Sequence, residues 1–165
     1  MVLWDKEGRK KGEEGENKFK EWLDKHKIPY LYIRQNPRAF SSVFKDKNLK
    51  RPDFMILLPN LGFIMIDIKN KPIRYGENFA LDTIETKKFS KLQREFNLPM
   101  WFVISNKEIG YKTWYWIPIS KVFEEGRFKE ERSHISKQPF FIIPLEEFIQ
   151  IADDDSLERL FSKSF

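Results

Sequence analysis

The feature that most constrains the fold is the segment at residues 51–71, RPDFMILLPNLGFIMIDIKNK. Two apolar runs flank Pro-Asn-Leu-Gly, a sequence typical of the turn in a β-hairpin. Three charged residues lie at the end away from the turn: Asp53 before the first strand, and Asp67 and Lys69 at the end of the second. Because side chains two residues apart on a strand share a face, Asp67 and Lys69 point the same way. The segment predicts a buried hairpin with ionised groups at its open end.

The register of the hairpin decides which face Asp53 occupies. If Leu58 pairs with Phe63, Asp53 faces away from Asp67, because a slip of one residue reverses every side chain. If Leu58 pairs with Gly62, or if a bulge intervenes, Asp53 lies opposite Asp67 on the same face. We predict this second arrangement, since two carboxylates on a buried face tolerate each other only around a cation.

Patterns on both sides of the hairpin predict an α/β fold, with a mixed central sheet flanked by helices. The stripe formed by Phe19, Trp22 and Leu23 is typical of a helix that buries one face. In chain order, the predicted elements of this part are a helix at residues 12–26, strands at 28–33, 54–58, 63–68 and 79–81, a helix at 83–97 and a strand at 100–104.

We expect one domain over residues 1–165, with its core at residues 10–105 and an aromatic-rich extension at residues 106–165. Two segments are expected to lie outside the packed core, a mobile or loosely packed lead-in at residues 1–11 and a flexible basic loop at residues 34–50. The expected elements of the extension are strands at residues 112–119 and 138–143 and one or two helices after residue 143. The aromatic run at residues 114–116 is more typical of a core strand than of a surface that stacks on bases.

Composition excludes several functional classes. The chain has no cysteine, which rules out disulfides, thiolate zinc sites and thiol nucleophiles. No apolar run approaches the roughly 20 residues that span a bilayer, and the first residues lack the apolar centre of a secretory signal, so we expect a cytoplasmic protein with no membrane partner. The net charge of +5 divides into +8 for residues 1–94 and −3 for residues 95–165. This asymmetry favours a polyanionic partner, although an ordinary lysine-rich surface explains the charge equally well.

The order of Glu16, Pro52-Asp53 and Asp67-Ile68-Lys69 resembles the PD-(D/E)XK nuclease superfamily. In that superfamily a helix with a glutamate precedes a three-stranded meander, whose second and third strands bear Asp and Asp/Glu-x-Lys, and a helix and a strand follow. Residues 12–16, Gly-Glu-Glu-Gly-Glu, are similar to the helix start of archaeal Holliday-junction resolvases. The resemblance implies a restriction-endonuclease-like αβββαβ core and a metal-dependent DNA endonuclease. The long loop at residues 34–50 departs from the pattern.

The same residues suit phosphodiester hydrolysis on chemical grounds. Asp53, Asp67 and the Ile68 carbonyl offer hard oxygen ligands for Mg²⁺, for which Mn²⁺ would substitute. Glu16 would bind that ion through water or hold a second one. Lys69 would orient the attacking water and stabilise the charge of the transition state. The simpler alternative is an Asp–Lys pair that only caps the end of a strand.

Four further residues are candidates for contacts with DNA: Arg51, Lys71, Lys88 and Gln93. The first two flank the charged strand ends in sequence. The other two lie on the predicted helix at residues 83–97, from which related nucleases contribute a residue to the site, although a solvated helix face also explains them. A chain with one site would cut two strands as a homodimer. Two other functions stay open, a nuclease-fold protein that binds DNA without cleavage and a protein-interaction module built on the aromatic extension.

Overall fold

A six-stranded mixed sheet forms the centre of the computed structural model, which describes residues 3–130 and 138–162. In those residues the helices and strands are α1 (Leu3–Lys25), β1 (Tyr30–Tyr32), α2 (Ser42–Asp46), β2 (Phe54–Leu58), β3 (Gly62–Asn70), β4 (Asn78–Asp82), α3 (Thr83–Phe96), β5 (Met100–Ser105), β6 (Thr113–Pro118), α4 (Ile119–Glu125), β7 (Arg127–Lys129), β8 (Phe140–Pro144), β9 (Ile149–Ala152) and α5 (Arg159–Ser162). None of these helices is long and apolar enough to cross a membrane.

The strand order of the large sheet is β1-β2-β3-β5-β6-β9. Strands β1, β2 and β3 form an antiparallel meander, and β5 pairs with β3 in parallel after the crossover through α3. Strand β4 leaves this sheet and pairs with β8, which also pairs with β7, in a second sheet of three strands. The predicted α/β fold with a mixed sheet and flanking helices is confirmed, and residues 106–165 contribute strands to both sheets.

The register of the β2–β3 hairpin is the one predicted. Leu58 pairs with Gly62, and its carbonyl accepts a hydrogen bond from the Leu61 N–H at 3.0 Å. The turn needs a positive φ at Asn60 (64°) and at Gly62 (95°), conformations that Asn and Gly adopt more readily than other residues. The next pair beyond the far end of β2 is therefore Asp53 opposite Asp67.

The two faces of the large sheet bury separate apolar clusters. Helix α1 covers one face with Phe19, Trp22 and Leu23, as its stripe predicted. Helices α3 and α4 and the small sheet cover the other face. The aromatic side chains of β6 divide between the two clusters: Trp114 and Trp116 pack on the α1 side and Tyr115 on the α3 side. All three are buried, so they form core and offer no surface for stacking on bases.

The first 50 residues differ from expectation in two places. Helix α1 begins at Leu3 and not at residue 12; its residues 6–14 are exposed, which agrees with a loosely packed lead-in, and residues 1–2 lie outside the described residues. The basic loop at residues 34–50 contains a 3₁₀ turn, Pro37–Ala39, and helix α2. The Ser41 side chain caps the start of α2, and Phe44 of this helix packs against Phe96 of α3. The polar composition of residues 34–50 gives no indication of this contact, because the two residues are far apart in sequence.

The expectation of helices alone after residue 143 was also wrong. A single 3₁₀ turn, Leu145–Glu147, leads into strand β9, and only α5 at the end is an α-helix in the described residues. In β9, Ile149 and Ile151 are buried while Gln150 and Ala152 are exposed. This alternation is typical of an edge strand, but four residues are too few to distinguish it from a helical turn.

Gly15 of α1 is required by the close approach of this helix to β3. A Cβ atom at residue 15 would lie 3.1 Å from the Cβ of Asn70, whereas nothing lies within 4 Å of one at Gly12. We expect Gly15→Leu to lower the free energy of unfolding by about 1–3 kcal/mol through overpacking. Gly12→Leu should raise it by about 0.5–1 kcal/mol through helix propensity. Urea unfolding measures both, and equal effects at the two sites would contradict the close packing.

Candidate functional site

The aspartates at the open end of the hairpin are both buried, with 8% of Asp53 and 2% of Asp67 exposed. They lie on the α3 side of the sheet, since each is followed by a residue that packs on the α1 side, Phe54 and Ile68. The Ile68 N–H donates to Asp53 Oδ2 at 2.8 Å. The Asp53 N–H in turn donates to the Ile66 carbonyl at 2.9 Å, which continues the ladder of the hairpin. The backbone therefore holds the Asp53 carboxylate in place.

This burial changes the ionisation of the two aspartates. Burial, the Asp67 charge and then the Glu16 charge raise the pKa of Asp53 to about 8, against the smaller opposite effects of the Ile68 N–H and Lys69. Two carboxylates this close to each other cannot easily both be ionised without a cation. Without a metal ion, the pair therefore retains a proton at neutral pH.

Lys69 lies between two carboxylates. Its ammonium nitrogen is 2.6 Å from Asp67 Oδ2 and 2.6 Å from Glu85 Oε1, and Lys69 and Glu85 are each 15% exposed at the side chain. Glu85 also accepts from Lys50, which approaches from the segment before β2. Burial and the Lys69 charge lower the pKa of Lys50. The predicted Asp67–Lys69 pair is thus part of a larger cluster on the α3 side of the sheet.

Glu85 was missed by sequence reasoning. It lies in the first turn of α3, where Asp82 Oδ1 accepts from its N–H at 2.7 Å, and an acid near a helix N-terminus needs no function to explain it. The sequence has no local signal for its contact with Lys69, because the contact depends on how α3 docks on the sheet.

Glu16 is near enough for its charge to raise the pKa of Asp53, but its hydrogen bond is to a residue outside the cluster. Helix α1 covers the opposite face of the sheet, and Glu16 Oε2 accepts a hydrogen bond from the Tyr32 hydroxyl at 2.6 Å. Burial and then Glu16 raise the pKa of Tyr32. Within residues 3–130 and 138–162, no three His, Asp or Glu side chains are close enough to hold a metal ion between them. The structure therefore brings Asp53 and Asp67 together, and direct contact of Glu16 with a metal stays a prediction.

The two aspartates fit a hard divalent cation. Their oxygens are of the type that Mg²⁺ prefers. Asp67 Oδ2 is buried and accepts no hydrogen bond of good geometry among the described residues, although the Lys69 ammonium lies beside it. A buried carboxylate oxygen without a hydrogen bond is costly, and a bound cation would satisfy it.

The four residues predicted to contact DNA lie in different surroundings in the structure. The Arg51 guanidinium donates to backbone carbonyls of residues 34–36 and lies over the ring of Phe40, so it holds the loop. The Lys71 ammonium donates to the Ala80 carbonyl at 2.9 Å, between the two sheets. Burial and the Lys69 charge lower the pKa of Lys71 to about 8.

The other two candidates lie on α3. Lys88 is half-buried, three residues after Glu85. The Gln93 side-chain oxygen accepts from the Met100 N–H at 2.9 Å, about 12 Å along the helix from Glu85. The structure therefore does not bring Gln93 to the two aspartates. A contact of any of the four residues with DNA stays a prediction.

The raised pKa of Asp53 predicts how stability depends on pH. Between about pH 4 and about pH 8 the folded state holds a proton that the unfolded chain releases, so stability falls as pH rises through this range. Asp53→Asn keeps an acceptor for the Ile68 N–H and removes the repulsion. In EDTA at pH 9, we expect this variant to have a free energy of unfolding roughly 1–3 kcal/mol above that of the unsubstituted protein.

Urea unfolding at pH 5 and pH 9 measures this difference between the variant and the unsubstituted protein. At pH 5 the advantage of Asp53→Asn should be much smaller, because the unsubstituted Asp53 is then protonated. An advantage of equal size at both pH values would show that the pKa of Asp53 is not raised in the folded protein.

Comparisons with known proteins reveal similarity in fold. No protein-family profile matches the sequence, and no similar curated protein was found. Among solved structures, the chain is similar to a Holliday junction resolvase from the archaeal hyperthermophile Archaeoglobus fulgidus. The alignment has a TM-score of 0.55 and 14% sequence identity, and it covers 94% of this chain and 98% of the resolvase chain. This likeness confirms the predicted restriction-endonuclease-like fold.

Proposed function

We propose that this chain, which shares its fold with an archaeal Holliday junction resolvase, is a metal-dependent endonuclease that hydrolyses phosphodiester bonds in DNA. The observation that supports this most directly is the buried pair Asp53 and Asp67, which face each other with the Lys69 ammonium beside them. Ionised groups at the end of a buried strand cost several kcal/mol unless they are paired or bind a metal. The Lys69 ammonium pairs with Asp67, and the negative charge of an ionised Asp53 beside this pair favours a divalent cation.

Each residue has a role in this proposal. Asp53 and Asp67 would hold Mg²⁺, with the Ile68 carbonyl as a further ligand and Glu16 as a ligand through water. The ion, when bound, would polarise the phosphate and lower the pKa of a water molecule. Lys69 would donate to the reacting phosphate and stabilise the negative charge that develops there. The Ile68 N–H keeps Asp53 oriented through its bond to Oδ2.

The basic residues around the site suit a phosphate backbone. Lys71 and Lys50 reach the α3 side of the sheet, and both have a lowered pKa because burial disfavours their charge. A DNA phosphate nearby would stabilise both ammonium groups. Lys88 extends this surface along α3, while Arg51 would act by shaping the loop before β2.

Of the other functions, DNA binding without cleavage is disfavoured because Asp53, Asp67 and Lys69 are all present and close together. The protein-interaction module loses its main support, since the aromatic side chains of β6 are buried in the core.

Cleavage assays test the proposed reaction. With Mg²⁺, the protein should cut branched or duplex DNA, and EDTA should abolish cutting. Asp67→Ala and Lys69→Ala should each lower the single-turnover rate by about 10²–10³. The matched controls are Asp153→Ala and Lys25→Ala, which break an exposed Asp–Lys pair elsewhere on the molecule and should leave the rate unchanged. An Asp67→Ala protein that cuts at the original rate would assign the activity to another site or to a contaminant.

The salt dependence of DNA binding tests the contact at Lys71. We expect the logarithm of the Kd to rise linearly with the logarithm of KCl concentration, and Lys71→Met to reduce the slope by about 0.9, one phosphate contact. Fluorescence anisotropy in Ca²⁺, in place of Mg²⁺, measures Kd for a labelled DNA. The control Lys25→Met removes one positive charge from a distant, exposed lysine. An equal loss of slope in both variants would indicate a general charge effect in place of a contact.

A further inference from the structure

The Lys69 ammonium has two carboxylate partners, and only one of them is also a proposed metal ligand. Asp67 and Glu85 each place an oxygen 2.6 Å from its nitrogen. Under the proposed function, Asp67 is also a metal ligand, and a carboxylate that binds a divalent cation is a weaker partner for a neighbouring ammonium. Glu85 has no such competing role in the proposed site.

The surroundings of Lys69 make the second partner necessary. The ammonium lies 5.7 Å from the ring centre of Phe102, and the Lys50 ammonium lies 5.3 Å from that of Phe89. These two rings pack edge to face beneath the charged groups. An ammonium held over buried rings loses hydration, so it would turn away from the site toward solvent if no carboxylate remained beside it.

Glu85 is itself held in a defined position. It lies in the first turn of α3, and Asp82 Oδ1 caps its backbone N–H at 2.7 Å. It also accepts from Lys50, so one carboxylate joins two ammonium groups that come from different parts of the chain. Glu95 on the same helix also pairs with a lysine, Lys47, but in an exposed position, so it provides a matched control for substitutions of Glu85.

We propose that Glu85 is the positioning residue of Lys69: it holds the Lys69 ammonium in the site when Asp67 binds a divalent cation. The inference depends on the proposed function for the event that engages Asp67. Glu85 acts through Lys69 and contacts neither the metal nor the phosphate.

A labelling experiment without metal or activity tests the two-partner arrangement. Acetic anhydride labels lysines, and mass spectrometry follows the rate at Lys69 in EDTA, with Lys47 as internal reference. With either Asp67→Asn or Glu85→Gln alone, Lys69 keeps one carboxylate and should stay protected. The double variant should label at least about tenfold faster at Lys69, an excess over the two single effects. If either single variant labels as fast as the double, the two carboxylates do not both hold the ammonium, and the inference is wrong.

The same assay with Ca²⁺ tests whether Glu85 holds Lys69 while a divalent cation is bound. Lys69 should stay protected in the unsubstituted protein and become reactive in Glu85→Gln, while Glu95→Gln should change only Lys47. Protection that persists in Glu85→Gln would overturn the inference. Calorimetry of Ca²⁺ binding distinguishes the two failures: no Ca²⁺ binding refutes the proposed metal site, whereas binding with unchanged Lys69 labelling refutes the role of Glu85.

Kinetics give an independent readout. Glu85→Gln should lower the single-turnover rate about 10- to 100-fold with the DNA Kd unchanged, as for a residue that orients another, and Glu85→Asp should recover part of the rate. Thermal unfolding checks that each variant is folded. A loss confined to Kd, or no loss of rate in a folded Glu85→Gln protein, would contradict the positioning role.

Discussion

The constraint on which the site depends is the register of one hairpin. Leu58 pairs with Gly62, so that Asp53 and Asp67 meet on one buried face at the open end of β2 and β3. A shift of one residue would turn Asp53 toward α1 and leave Asp67 without a carboxylate opposite it. The turn that sets this register needs two positive φ angles, and Asn60 and Gly62 provide them.

Packing around Asp53 and Asp67 buries negative charge that a bound cation would stabilise. Asp53 and Asp67 lie in a site that burial makes unfavourable for two ionised carboxylates, and the pKa of Asp53 rises accordingly. Lys69 offsets part of the negative charge, and Glu85 adds to it from α3. The three carboxylates of the cluster, Asp53, Asp67 and Glu85, face the ammonium groups of Lys69 and Lys50, so the charge of an ionised Asp53 is left over and a divalent cation would balance it.

Much of the fold followed from local patterns. The hairpin, α3 and β5 were predicted closely because their apolar periods are regular and Gly or Pro marks the turns. The first turns of α1, helix α2 and strand β9 were not predicted. For α2, long-range packing such as the contact of Phe44 with Phe96 decides the structure, whereas the first turns of α1 are exposed and β9 is too short for its pattern to be distinctive. In the site, the sequence predicted the facing pair Asp53 and Asp67 but neither Glu85 nor the bond from Tyr32 to Glu16.

By itself the sequence determined which acids and which lysine lie at the strand ends and that Asp67 and Lys69 share a face, because strand alternation acts over a few residues. The face of Asp53 depended on the register of the hairpin, which the structure decided. Only the tertiary structure decided what those groups touch. Residues 69 and 85 meet because α3 crosses back over the sheet, and α1 on the opposite face leaves Glu16 to Tyr32. Such contacts depend on how whole helices and strands dock. The docking energy is spread over many apolar side chains, so the sequence around the charged residues does not reveal the contacts.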